Sequence, residues 1–401
     1  MSEVIGNGLF GPSPADAVFD QMVDLRRAVH RRPELAFDEH FATALIREHM
    51  ASLGIDEAVR VTKTGGIFTM DGGRPGGTVV LRGDIDALPV QEPSTRPGAS
   101  EVEGLMHACG HDVHIGAVLG AASLLASRRE DLPGRYVFLF QPGEEALCGG
   151  KAMVDGGALA VMEGARLVGF HVASVVPTGM VALRAGITMS EAHSLRITLR
   201  GPGGHGAVPS ATGDVIRATA ELVGRLGTVV EGLSYEGTDC VCSAGTLRAG
   251  TAVNVVPTSA VVTGTLRTFT DAQRVDAVGR LEALCAEVGG AMGVEIDLEL
   301  PEHTPAVMND PGVVDLVETE AKAILGDASV VRMPPAAPSD DVSEFLNHLP
   351  GCYFFVGGAA PDGSSGGHHC PTFFVEDEAL RVGAGVLVRG AVALAGGAWP
   401  G

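Results

Sequence analysis

Between residues 107 and 114 the chain reads HACGHDVH, three histidines, a thiol and a carboxylate in eight residues. With only 13 His and 7 Cys in 401 residues, such a concentration is unusual. Thiolate and imidazole are the donors that hold borderline divalent cations. Ile115, Val118, Leu119, Ala122 and Leu125 follow at helical spacing and predict a buried helix. Cys109 and His111 are therefore expected at a loop-to-helix junction, where the positive end of the helix favours a thiolate. A second group with chemical potential is Glu144-Glu145. Adjacent carboxylates at a strand end need a compensating cation, and beside a metal one can ligate while the other faces a bound water. With His171 and His369 the donor set becomes one thiolate, three imidazoles and one carboxylate. That mixture suits zinc, or manganese, cobalt or nickel where oxygen ligation dominates. Five donors exceed the needs of one tetrahedral zinc and fit two divalent metal ions about 3.5–4 Å apart. Asp86 is expected to orient a ligand imidazole. His107 and His114 read as structural, and His30 as a helix cap or inter-element hydrogen bond.

These residues need a scaffold, and the hydropathy pattern supplies one. A helix over Val18, Met22, Leu25 and Val29 closes before Pro33, and another carries Phe41, Leu45 and Leu53. Buried-strand runs at 78–82, 135–140 and 166–170 end at Asp84 and Asp86, at Glu144-Glu145 and at His171. Strands alternating with helices predict a mostly parallel α/β sheet, and the carboxyl ends of its strands are where such sheets assemble sites. Near residue 186 the pattern changes. Residues 195–200 alternate strictly, a helix follows from Val215 to Leu226, further strands lie at 239–247 and 259–267, and a helix covers 271–291. This predicts a separate α+β domain at 186–300, inserted into an α/β domain made of 1–185 and 301–401. Residues 1–14 read as a disordered leader.

Composition narrows the function classes. The chain is 45% hydrophobic with 4% aromatics and 56 Gly, which suits an α/β protein of two domains. A net charge of −21 excludes a general nucleic-acid binder, because no basic stripe exists to displace counterions. Seven cysteines without a paired framework indicate a reducing, cytoplasmic setting. The first 20 residues show neither a basic nor an apolar signal region. No run approaches 18 apolar residues, so no membrane partner is expected.

Some matches carry less than they suggest. Residues 201–206 (GPGGHG) fit the glycine pattern of dinucleotide binders, but Pro209 prevents a helix there and Glu221 falls inside a later helix. Cys240 and Cys242 have the wrong spacing for a redox or zinc site and read as small residues on one strand face. Arg267 on an alternating strand reads either as a surface ion pair or as a substrate ligand.

Taken in order, the motifs resemble the M20 metallopeptidase and amidohydrolase family, in its branch of N-acyl-amino-acid, hippurate and indole-acetyl-amino-acid hydrolases. They are HRRPEL at 30–35, LRGDIDALP at 81–89, MHACGHDVH at 106–114, QPGEE at 141–145, His171, GGHGAVP at 203–209, NVVP at 254–257, GTLRT at 264–268 and HCP at 369–371. The resemblance implies a di-metal catalytic domain with an inserted lid that forms a homodimer, or a tetramer. It assigns Cys109, His111, Glu145, His171 and His369 as metal ligands, with Cys109 bridging, and Glu144 as general base towards a metal-activated water. It gives His205, reaching in from a partner subunit, the role of oxyanion donor. Asn254 and Arg267 grip the substrate carboxylate. Three positions depart from the family pattern: Ser210 in place of a His, Asp340-Asp341-Val342 in place of Glu-Asp-Phe, and Cys370 beside His369.

The expected reaction is hydrolysis of the amide of an N-acyl-amino acid. A carboxypeptidase or dipeptidase acting on short peptides is the nearest alternative. A Cys109 nucleophile would be insensitive to chelators, and a non-catalytic metal-binding dimer would have no use for Glu144.

Overall fold

Val79 to Leu81, Val137 to Phe140 and Leu167-Val168 have no exposed surface. Runs this apolar satisfy their backbone only inside a sheet covered on both faces. The computed structural model, which describes residues 13–96, 98–208 and 213–397, builds that sheet. The chain begins with α1 (Phe19–His30), α2 (His40–Ser52), β1 (Asp56–Val59), β2 (Gly66–Asp71), β3 (Arg74–Asp84) and α3 (His111–Ser127). It continues through β4 (Pro133–Gln141), α4 (Gly149–Asp155), β5 (Arg166–Pro177) and β6 (Val181–Leu183). A second unit follows: β7 (Glu191–Arg200), β8 (Gly204–His205), α5 (Val215–Arg225), β9 (Val241–Ala249), β10 (Val255–Val256), β11 (Ser259–Thr268), α6 (Asp271–Met292), β12 (Glu295–Glu299) and β13 (His303–Thr304). The chain returns with α7 (Pro311–Leu325), β14 (Val330–Arg332), α8 (Ser343–Leu346), β15 (Gly351–Ala359) and α9 (Glu378–Gly396).

The large sheet has the order β1-β2-β4-β3-β5-β15-β6-β14. Strand β3 runs parallel to β4 and β5, β15 parallel to β5, and β14 parallel to β6. The pairs β1/β2, β2/β4 and β15/β6 are antiparallel. This is an α/β fold with a parallel centre. Helices α1 and α9 pack on α3, which is buried from His111 to Ala122. Helix α9 has a mean hydropathy of 1.5 over a membrane-spanning length, although Arg381 and Arg389 interrupt its apolar run. Its apolarity has a local cause, because 83% of that stretch is buried in the core. The leader falls mostly outside the described residues, but Pro14 and Ala15 are buried at the start of a 3-10 turn rather than disordered.

The second unit comprises residues 187–307 and 334–340. Its sheet has the antiparallel order β9-β11-β7-β12, with β13 also pairing β7. Ala218 and Leu222 of α5 and Leu281, Leu284 and Val288 of α6 close one core with Ile197, Leu199, Val262 and Leu266. Helix α6 starts with a capping box between Thr270 and Gln273 and ends at Gly293, in the left-handed conformation. The unit runs past residue 300 because β13 still pairs with β7. Residues 334–340 join it through Ala336, whose N–H donates to Thr188 O and whose carbonyl accepts from Ser190 N–H.

Candidate metal centre

Gly110 separates Cys109 from His111 with a φ of 88°, and an added Cβ there would lie 2.4 Å from Val172 Cγ1. Only glycine makes this turn, and it brings both side chains to the same side at the start of α3. The glutamate pair follows another turn, at Gly143 (φ 65°), whose Cβ would meet the Phe37 ring at 2.8 Å. Asp86 then ties the two loops together. Its Oδ1 accepts the Glu144 N–H at 3.1 Å and its Oδ2 the Glu145 N–H at 3.0 Å. Its backbone carbonyl lies 2.9 Å from His111 Nδ1.

Those partners fix the imidazoles. A carbonyl can only accept, so His111 Nδ1 carries the proton and Nε2 presents its lone pair. His171 behaves likewise: Nδ1 donates to Val172 O at 2.7 Å and Nε2 faces Cys109 Sγ at 3.4 Å. His171 lies within β5 rather than just past its end, because the strand continues to Pro177. His369 has its backbone in the left-handed region (φ 62°), and its N–H donates to Ala108 O at 2.9 Å. Its Nε2 stands 3.3 Å from Glu145 Oε2, with the side chain about half exposed.

Sequence reasoning missed His368. Its Nδ1 lies 3.6 Å from Cys109 Sγ, and its Nε2 accepts the Ser174 N–H at 3.3 Å. A cation on Nδ1 would leave Nε2 as an N–H facing another N–H. The geometry suits Nδ1–H donating to the sulfur. His114 is similarly engaged at both nitrogens, by Asp84 Oδ1 at 2.5 Å and the Val172 N–H at 2.9 Å. His30 bridges Asp112 Oδ2 and Glu92 Oε2, each at 3.1 Å.

Among the buried side-chain atoms without a hydrogen-bond partner in the described residues are two of this cluster, His111 Nε2 and Glu145 Oε1, and they lie 3.8 Å apart. Two nitrogen or oxygen ligands of one tetrahedral zinc stand roughly 3.3 Å from each other, slightly more with sulfur. The donor separations here, 3.3–3.8 Å, match that spacing. Cys109 lies in one group with His111 and Glu145 and in another with His171 and His368, the last as a hydrogen-bond donor to the sulfur. The cluster is a dinuclear divalent-cation site.

Its electrostatics agree. Burial, and then the Glu145 and Glu144 carboxylates, push the Cys109 thiol well above its ordinary value. The expected thiolate at the helix end is thus disfavoured by the protein alone, through burial first and the carboxylates second; a cation would reverse this. Burial opposes a charge on His111, but Asp84 and Asp86 override it and carry the imidazole up to about 10, so a cation would have to displace the Nε2 proton before using that lone pair. Glu145 is held low against burial by His369, His111 and Cys109. Asp84 is driven far down by Arg82, His111 and His114, again against burial. Arg82, fully buried, also bonds Gln141 and Tyr353 and pairs with Asp341. Asp341 in turn accepts the Gly150 N–H at 2.7 Å, and Val342 beside it is buried.

In the second unit, His205 is exposed on β8, opposite Val255 of β10, and its Nδ1 accepts the Ala207 N–H at 3.1 Å. The Gly206 N–H donates to Asn254 O, so His205 and Asn254 lie beside one short antiparallel ladder between β8 and β10. Arg267 lies on β11 and donates to Ser339 Oγ at 2.8 Å. Asp340 is buried and Cys370 exposed, while Ser210 lies outside the described residues.

The sequence profile of peptidase family M20/M25/M40 matches residues 80–392. The chain belongs to this family. It is 33% identical to thermostable carboxypeptidase 2 of Saccharolobus solfataricus, over 91% of this chain and 93% of that protein. Identity to an N-acetyl-L-cysteine deacetylase of Bacillus subtilis is 32%, over 90% and 85% of the two chains. The crystal structure of the Bacillus subtilis YXEP protein, described as a dinuclear metal binding peptidase of family M20, superposes with a TM-score of 0.78 at 29% identity. That match covers 94% of this chain and 98% of the other. The protein is a metallohydrolase of family M20.

Proposed function

We propose that this M20 enzyme hydrolyses the amide bond of N-acyl-amino acids. The observation that carries the reading is Glu144, nine-tenths buried with its Oε2 3.8 Å from His111 Nε2, held by Asp86 beside the donor cluster. Cys109, His111, Glu145, His171 and His369 would hold the two cations, zinc or else manganese, cobalt or nickel. When bound, these ions polarise a carbonyl and lower the pKa of a water towards neutrality. Glu144 takes the proton of the attacking water on a carboxylate oxygen and returns it to the leaving amine. Cys109 Sγ, receiving the His368 Nδ1–H, stays oriented between the two donor groups. His205 supplies a hydrogen bond to the oxyanion from a second copy of the chain. Asn254 and Arg267 bind the free carboxylate, for which the guanidinium fork is suited.

The homodimer is part of the same proposal. Strand β9 is a sheet edge, exposed from Ser243 to Arg248, and Leu247 and Val255 are about half exposed. An edge of this kind is a ready template for pairing with a second copy. All seven cysteines are free thiols, which supports a reducing, cytoplasmic setting. The named relatives include a deacetylase and a carboxypeptidase, and a substrate panel separates these chemistries. N-acetyl-, N-benzoyl- and indole-acetyl-amino acids and short peptides are assayed after chelation and reconstitution with Zn²⁺, Mn²⁺, Co²⁺ or Ni²⁺ in turn. N-acyl-amino acids should give the highest kcat/KM; turnover of peptides alone would sink the reading. Glu144→Gln should lower kcat by about 10²–10⁴ while metal content stays unchanged.

A further inference from the structure

The second unit carries a donor cluster of its own. Glu191 and His193 are neighbours on one face of β7, and β13 places His303 directly opposite His193. The two imidazoles stack with centroids 4.4 Å apart and planes at 12°. Both turn Nε2 towards one oxygen: Glu191 Oε2 lies 3.2 Å from His303 and 3.8 Å from His193. The other oxygen, Oε1, accepts the Thr268 hydroxyl at 2.5 Å and pairs with Arg274 at 3.4 Å. Glu191 and His193 are each about 6% exposed, whereas the His303 side chain is 46% exposed. His193 Nε2 is buried, points into the cluster and has no hydrogen-bond partner among the described residues.

We propose that Glu191, His193 and His303 form an additional cation site in the inserted unit, taking zinc or a similar borderline divalent ion. Two imidazole nitrogens and a carboxylate oxygen are zinc's preferred neutral and oxygen donors. Ligand atoms on one tetrahedral zinc lie roughly 3.3 Å apart, so the two contacts at Oε2 need only small movements to close on an ion. Arg274 and Thr268, engaged with Oε1, hold the carboxylate so that Oε2 faces the histidines. The exposed edge of His303 gives the ion a route in and leaves a fourth position to water. Once bound, the ion cross-links β7 to β13.

The test is zinc binding by the untagged full-length protein, measured by elemental analysis after equilibrium dialysis over a range of free zinc. The wild type should retain one zinc per chain more than His193→Ala or His303→Ala, with the variants' affinity for that ion reduced by at least about 10–100-fold. His303→Ala alters a half-exposed side chain and keeps the test valid should His193→Ala fold poorly. Cys109→Ala should lose zinc from the dinuclear centre and still show the His303-dependent ion. Equal zinc content in the wild type and His303→Ala across the range overturns the proposal.

Discussion

Asp86 receives the backbone N–H of Glu144 through one carboxylate oxygen and that of Glu145 through the other. One side chain thus sets the positions of the proposed base and of a metal ligand without touching substrate. In Asp86→Asn one oxygen becomes an NH₂ that faces a backbone N–H. We expect kcat to fall about 10–100-fold with KM nearly unchanged. Asp86→Glu should not restore it, because the longer side chain moves both acceptors. Wild-type kcat in Asp86→Asn would refute the positioning role.

The neighbouring histidines 368 and 369 should separate cleanly. His369→Ala removes an imidazole from the Glu145 side and should cost at least one cation per chain by elemental analysis. His368→Ala removes a hydrogen bond to sulfur and should leave both cations in place, with weaker retention against a chelator. Cys109→Ala should strip at least one ion, since both donor groups contain the sulfur. Should His368→Ala lose a cation at once, the imidazole is a ligand and the tautomer argument fails.

A pH signature is expected from His30. Burial opposes its charge, but Asp112 and Glu92 raise it from 6.5 to about 9. A group raised on folding stabilises fully below its unfolded value and loses that contribution as pH climbs through the folded one. Wild type should therefore exceed His30→Gln in stability by on the order of 2 kcal/mol at pH 6. The difference should shrink as pH rises from about 6.5 to about 9 and be nearly gone beyond that. Thermal melts of both proteins across this range provide the measurement, and a gap independent of pH would contradict the assignment.

The trans-acting His205 is tested by complementation. His205→Ala and Glu144→Gln should each be inactive with metal content intact. Mixed under subunit exchange, half of the dimers are heterodimers with one competent site, so activity should return to about a quarter of wild type. No recovery despite demonstrated exchange would place His205 in its own chain's site or outside catalysis.

Much of the centre was legible in the sequence because the signals were local. The turn glycines 110 and 143, the runs ending at Asp84 and Glu144, and the clustering of soft donors all lie within short windows. What escaped depends on contacts between distant segments. Nothing near His368 reveals that the Ser174 N–H occupies its Nε2, so adjacent histidines could not be told apart by role. The capture of residues 334–340 by the second unit involves the Ala336 N–H donating to Thr188 O and the Ser190 N–H donating to Ala336 O, bonds that leave no hydropathy trace. The helix-end argument for a Cys109 thiolate left out two further influences, the burial of the thiol and its carboxylate neighbours, which favour the thiol when no cation is bound. It counted the dipole of α3 but not the carboxylates that β4 delivers from thirty-five residues away.

Strands β5 and β6 follow one another in the chain, yet β15 lies between them in the sheet. During synthesis, the Cys109 and His171 portions are complete long before residues 351–359 arrive to fill that gap and carry His369 into place. The second unit, by contrast, is nearly continuous from 187 to 307 and its contacts close early. Four of the five proposed cation donors therefore emerge from the ribosome long before the fifth, His369, and the donor set is complete only near the end of synthesis.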